Sequence, residues 1–204
     1  ANSYTGATTV AGGTLRAGAA GTFAAGSAFT VGAGAVLDLA GFNQTVASLS
    51  GAGTVALGAG TLSTGGDGSS TTFSGAINGT GGLTKAGSGT FTLSGTSGYS
   101  GATTIAGGTL VVNGSIANSA VTVGGGILAG TGTVGGIAVA GGGTVAPGNS
   151  IGTLNVAGNV AFAAGSTYQV EINAAGQGDR INATGMATLS GGTVQVLAEA
   201  GNYA

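Results

Sequence analysis

The chain has 204 residues, 48 of them glycine, with one proline and no cysteine, histidine or tryptophan. Three cations against five acids give a net charge of −2, too few positive groups to neutralise a run of phosphates or to hold an anionic lipid surface. With neither Cys nor His, disulfides, thiolate metal sites and the common zinc and copper ligand sets are excluded.

Lack of cysteine suits a chain that stays unlinked while crossing an oxidising space. Glycine at this level approaches low-complexity disorder. Disordered chains, however, are poor in aliphatic residues and rich in charge, whereas this one is 42% hydrophobic and 4% charged. Apolar residues alternate with small polar ones, as in Thr153–Val156 and Tyr168–Ile172, which is the period of a strand. Helix is disfavoured throughout, because each interior glycine costs about 1 kcal/mol. The expectation is an ordered all-β chain.

The opening residues Ala1–Tyr4 lack the basic and apolar regions of a signal peptide. They run directly into Tyr4-Thr-Gly-Ala-Thr-Thr-Val-Ala-Gly-Gly-Thr-Leu15, which returns 95 residues later as Tyr99-Ser-Gly-Ala-Thr-Thr-Ile-Ala-Gly-Gly-Thr-Leu110, identical at ten of twelve positions. Because the chain opens inside a repeat, it reads as part of something longer. The tripeptide Gly-Thr-(Leu, Val or Phe) also recurs, beginning at Gly13, Gly21, Gly53, Gly60, Gly89, Gly108, Gly132, Gly143, Gly152 and Gly192. Steps of 7 to 11 residues suit successive faces of one coil, and steps of 19 to 24 suit whole coils.

Along the chain, Val36–Leu39 and Thr45–Leu49 read as strands of the first block. Ser63–Ser74 is the most polar stretch and reads as an exposed loop or wide turn. The pattern restarts at 75–98. Apolar triplets then follow at Leu110–Val112, Val121–Val123, Ile127–Ala129 and Ile137–Val139. Towards the end the strands lengthen, at Thr167–Asn173 and Thr193–Ala198. Residues 160–204 also carry Phe162, Tyr168, Met186 and Tyr203 and four of the eight charges, as a terminal capping unit should. Residues 1–145 are therefore expected to form a repeat-built stem and 146–204 a capping segment continuous with it. The architecture predicted is a parallel β-solenoid of about ten rungs some 4.8 Å apart, roughly 50 Å long, with glycine corners supplying positive φ. A membrane barrel needs strands of about 9–11 residues and aromatic girdles, and ten scattered aromatics make no girdle.

Two stretches resemble a known family. One is Gly82-Leu-Thr-Lys-x-Gly-x-Gly-Thr-x-x-Leu-Ser-Gly95, running on to Tyr99–Leu110. The other is Val145-Ala-Pro-Gly-Asn-Ser-Ile-Gly-Thr-Leu154, leading to Tyr168–Ile172, Asp179-Arg-Ile181 and Leu189–Val196. They are similar to the C-terminal part of bacterial type V autotransporter passengers. The resemblance implies a right-handed parallel β-helix ending in a folding-promoting, autochaperone-like segment ahead of a translocator β-barrel. It also implies export through the periplasm and outer membrane to the cell surface or medium.

Motifs that suggest chemistry lack their partners. Gly130–Gly135 fits G-x-G-x-x-G, but no helix or βαβ unit follows. Gly148-Asn-Ser-Ile-Gly152 fits the nucleophile elbow, but the chain holds no His to act as base, and Lys85 is 65 residues from Ser150. Paired carboxylates would suit glycoside cleavage, yet Asp38, Asp67 and Glu171 are expected on different rungs. Gly65–Ser70 approaches a calcium nonapeptide but has Ser70 where the liganding Asp belongs. Asp179–Arg180 reads as a local ion pair or rim contact, and Asn43, Asn78, Asn113 and Asn182, all in N-x-S/T sequons, as turn residues. No catalytic, cofactor or metal residue is assigned, and no enzyme is expected. The role expected is a stem and C-terminal folding nucleus, with the chain's own translocator barrel as partner. The alternative is an adhesive or self-associating face of Thr, Ser and Asn, binding a second copy or glycan; a polysaccharide-cleaving enzyme is a third.

Overall fold

A computed structural model describes residues 2–200; Tyr203 falls outside the described residues. Among those described, the regular structure is strand and contains no helix, and parallel strands stack in about eight turns of a β-solenoid. Each turn passes three walls. The long wall has ten strands, from Thr8–Val10 to Gly192–Ala198. The next is split into two four-stranded sheets, Thr14–Arg16 to Ala76–Gly79 and Ser115–Ile116 to Arg180–Ala183. At that break only a bridge from Thr96 to Ser115 carries the ladder on. The third wall has eight strands, from Gln44–Thr45 to Ala187–Leu189.

The predicted triplets lie within strands, at Thr109–Val112, Val121–Val123, Ile127–Gly130 and Ile137–Val139. Alternation puts one set of side chains inside and one outside. On the third wall Leu62, Leu83, Thr103, Val121, Ile137 and Val160 form one inward column, each in register with the next. Ser63, Thr84, Thr104 and Thr122 form the matching outward column. Side-chain ladders between coils join Thr30 to Ser50 at 3.0 Å and the amides of Asn155 and Asn182 at 3.0 Å.

Several expectations need correction. The polar stretch Ser63–Ser74 is only partly loop: Leu62–Thr64 and Thr71–Phe73 are strands, with Thr64 and Phe73 buried. Thr and Ser are small enough to alternate on a wall, so polarity alone overstated the loop, which reduces to a turn around Asp67. The first coil has no strand on the third wall between Arg16 and Ala28. Buried Gln44 takes the place of the missing ladder there, accepting from Phe23 N at 3.0 Å and donating to Ala19 O at 2.6 Å.

Glycine does more at the corners than supply positive φ. Gly32, Gly53, Gly75, Gly95, Gly114 and Gly132 stack at one corner, and none has a left-handed φ. From Gly53 onward, a methyl group on any of them would overlap the carbonyl oxygen of the glycine one coil earlier. Close approach of backbone, not backbone conformation, excludes larger residues here. Asn43 and Asn113 are corner residues, whereas Asn78 lies in the strand Ala76–Gly79; the Oδ1 atoms of all three accept amides of the next coil, from Thr61, Gly98 and Thr131. Asn182 is not a turn residue; it lies in the strand Arg180–Ala183 and joins the amide ladder.

Candidate functional site

The residues singled out for chemistry are mostly scattered. Gly130–Gly135 runs from the end of one strand round a corner into Thr133–Val134. Ser150 is exposed on the corner after Thr144–Pro147 and donates to Glu199 Oε1 at 3.3 Å. Lys85 is several coils away and wholly buried. Among the described residues, no group of three or more His, Cys, Asp or Glu is placed to hold a metal.

Lys85 occupies an inward column between Thr64 and Ile105. Its ammonium donates to the carbonyl oxygens of Ala86, of Gly87 at 3.1 Å and of Gly107 at 3.2 Å, tying two coils at one corner. Burial pushes its pKa down, and nearby Asp67 partly opposes the shift. Burial raises the Asp67 carboxyl, but hydrogen bonds from the Ser69 amide and hydroxyl and from Ser48 outweigh it, leaving the pKa below its usual value.

Glu171, Asp179 and Glu199 all lie in the last two coils. Asp179 does not form the expected pair with Arg180. It accepts from Gly152 N at 2.8 Å on one carboxylate oxygen and from Glu171 N at 2.9 Å on the other. It thereby clamps the Ser150 corner to the small hairpin that carries residues 172–178. A polar groove of about 400 Å³ runs beside it. A carboxylate that accepts two backbone amides is a structural anchor already supplied with donors. Nearby, an apolar cleft of about 310 Å³ lies between Phe162, Tyr168, Leu189 and Val194.

The most ordered polar arrangement belongs to the twelve-residue repeat. Tyr99 is fully buried, and its hydroxyl lies 2.6 Å from Thr103 Oγ1. Thr103 Oγ1 lies 2.7 Å from Ser119 Oγ, which donates to Gly101 O at 2.7 Å. The terminal carbonyl can only accept, so the protons run from Tyr99 to Thr103 to Ser119 to Gly101. Ser119 belongs to the following coil. The first copy has the same relay: Tyr4 to Thr8 at 2.9 Å, Thr8 to Ser27 at 2.8 Å, and Ser27 to Gly6 O at 2.6 Å. Burial raises the Tyr99 pKa, and its bonds to Thr103 and Ser119 moderate the rise. The near-identity of the two twelve-residue copies marks the tyrosines and threonines; nothing in the sequence marks the two serines, which stand 19 and 16 residues beyond their threonines.

A family model described as passenger-associated-transport-repeat matches residues 1–17 and 83–112, which include both copies of the twelve-residue repeat. Over these two stretches the chain is similar to the repeats of autotransporter passengers. A curated relative, the Adhesin BmaC autotransporter of Brucella suis biovar 1 (strain 1330), is 43% identical over 95 residues. That match covers 44% of this chain and 3% of the relative. No helix among the described residues is long and apolar enough to cross a membrane.

Proposed function

We propose that the chain is a non-enzymatic stem of an exported passenger and that its C-terminal coils are the nucleus on which the stem folds. One observation carries this reading: strand pairing is longest at the C-terminal end. Ser166–Ile172 and Gly192–Ala198 pair over seven consecutive residues, whereas earlier pairings on the same wall span four or fewer. A long ladder is the best seed for a stack in which each coil is stabilised mainly by its neighbour. If a C-terminal translocator barrel delivers this end first, each new coil docks on a finished one. Each then buries aliphatic side chains at about 25 cal/mol per Å², biasing a threaded chain against sliding back. The commitment of Asp179 to two backbone amides supports a structural rather than catalytic use of that carboxylate.

Deleting residues 147–204 from the intact exported protein tests the proposal. Surface display and refolding rate should both fall sharply; unchanged export would remove the folding-nucleus role. A second reading, adhesion, is supported by the relative's name and by the uncharged outward column from Ser63 to Thr122. Aggregation of beads coated with the chain would favour it, and a strict monomer that fails to bind a glycan array would leave the stem alone.

A further inference from the structure

We infer that the Tyr–Thr–Ser relay is a latch between successive coils, completed by a serine that lies outside the repeat. Three observations combine. First, the relay occurs twice on different walls. Thr8–Val10 belongs to the long wall, whereas Thr103–Ile105 belongs to the third, so no single wall's packing produces it. Second, the chain between threonine and serine differs in length, yet the serine arrives at one register position. Thr8 pairs with Phe29 and Thr103 with Val121, and Ser27 and Ser119 stand two residues before those partners. Both serines fall outside the stretches matched by the repeat family, 1–17 and 83–112. Third, Thr103 is a polar residue set between apolar neighbours, Leu83 on one side and Val121 on the other, in a column whose other polar member, Gln44, stands at its far end below Leu62. A hydroxyl is tolerated there because it accepts from Tyr99 and donates to Ser119.

The consequence is a docking step that is satisfied only by the correct neighbour. Before the two coils meet, the hydroxyls of Tyr99 and Thr103 and the carbonyl of Gly101 are served by water. Once the coils close, water is expelled, and Ser119 must complete the run or leave buried groups unpaired. A coil that docks out of register fails to place the serine. The latch itself follows from geometry; only the order of closing, with Ser119 already in place when Tyr99 and Thr103 arrive, rests on the folding direction proposed above.

The test uses the whole chain and equilibrium unfolding, so a negative result leaves the export experiment untouched. Thr103→Val keeps the shape and suits the apolar column; Ser119→Ala removes the far hydroxyl. Each should lower the folding equilibrium constant about tenfold. The double variant should lose little more than the worse single, and Thr103→Ser should recover most of the loss. Exchange of the Thr103 amide, bonded to Ala120 O of the next coil, should accelerate in step. Ser27→Ala should change the constant less than about threefold, because Gly6 is exposed and Thr8 half-buried, so water reaches the groups that Ser27 serves. A neutral or stabilising Thr103→Val, or losses from Thr103→Val and Ser119→Ala that simply add, would overturn the latch.

Discussion

Residues 4–15 and 99–110 are nearly the same twelve amino acids in two settings. The first copy places its strands on the long wall and the split wall; the second places them on the third wall and the long wall. The offset of 95 residues amounts to four coils and two further walls. Tyr4 is 46% exposed and Tyr99 is fully buried, yet both make the same hydrogen bonds. Gly13 and Gly108 both hold a left-handed φ at the turn between the two strands. The repeat therefore specifies a corner and its tie to the next coil, not a place around the rod. Burial sets how much each shared feature contributes to stability.

The sharpest contrast is between matching glycines. A methyl group on Gly101 would overlap backbone of Gly81, while one on Gly6 would meet nothing within 4 Å. Gly101→Ala should cost about 3 kcal/mol and Gly6→Ala close to nothing, read as the shift in a urea midpoint. Equal losses would break the idea that burial separates the copies. Next come the tyrosines. Tyr99→Phe strands the Thr103 hydroxyl's acceptor and should cost about 1–2 kcal/mol, whereas Tyr4→Phe should stay within about 0.5 kcal/mol.

A third contrast concerns what stacks on each copy. Ile105 of the second copy is paired with Lys85, whose pKa is lowered by burial. In the unfolded chain Lys85 titrates at its ordinary 10.5. Below its folded pKa the chain carries the cost of a buried charge, so stability should rise as pH climbs from that pKa towards 10.5. Tyr99 acts oppositely above pH 10, because its folded pKa is raised and the unfolded chain ionises first. A urea-midpoint titration to pH 10 should show the rise, and Lys85→Met should abolish it. Smallest of all is the residue that follows each Leu, Arg16 in one copy and Val111 in the other. Arg16 pairs with Asp38 at 3.3 Å but is 71% exposed. Arg16→Val should change stability by less than about 0.5 kcal/mol.

Much of the fold was legible because strand period survives in small residues. Val121–Val123 and Ile137–Val139 were readable to the residue, since valine and isoleucine flank a single small side chain. Ser63–Ser74 misled, because Thr71–Phe73 has the polarity of a loop and the geometry of a wall. The glycine column from Gly32 to Gly132 was hidden by unequal coil lengths, which obscure which glycine sits above which. Ser27 and Ser119 were invisible for the same reason. Lys85 could be weighed from the sequence only as a distant partner for Ser150; its three carbonyl partners belong to corners that only the fold assembles.

The central claim is that the stem is built coil upon coil from its C-terminal end. Pulsed hydrogen exchange during refolding of the chain tests it most directly. Amides of 166–172 and 192–198 should be protected first, then those of 121–123 and 103–105, and those of 8–10 last. Protection that begins at the first coil, or appears along all three walls at once, would contradict it.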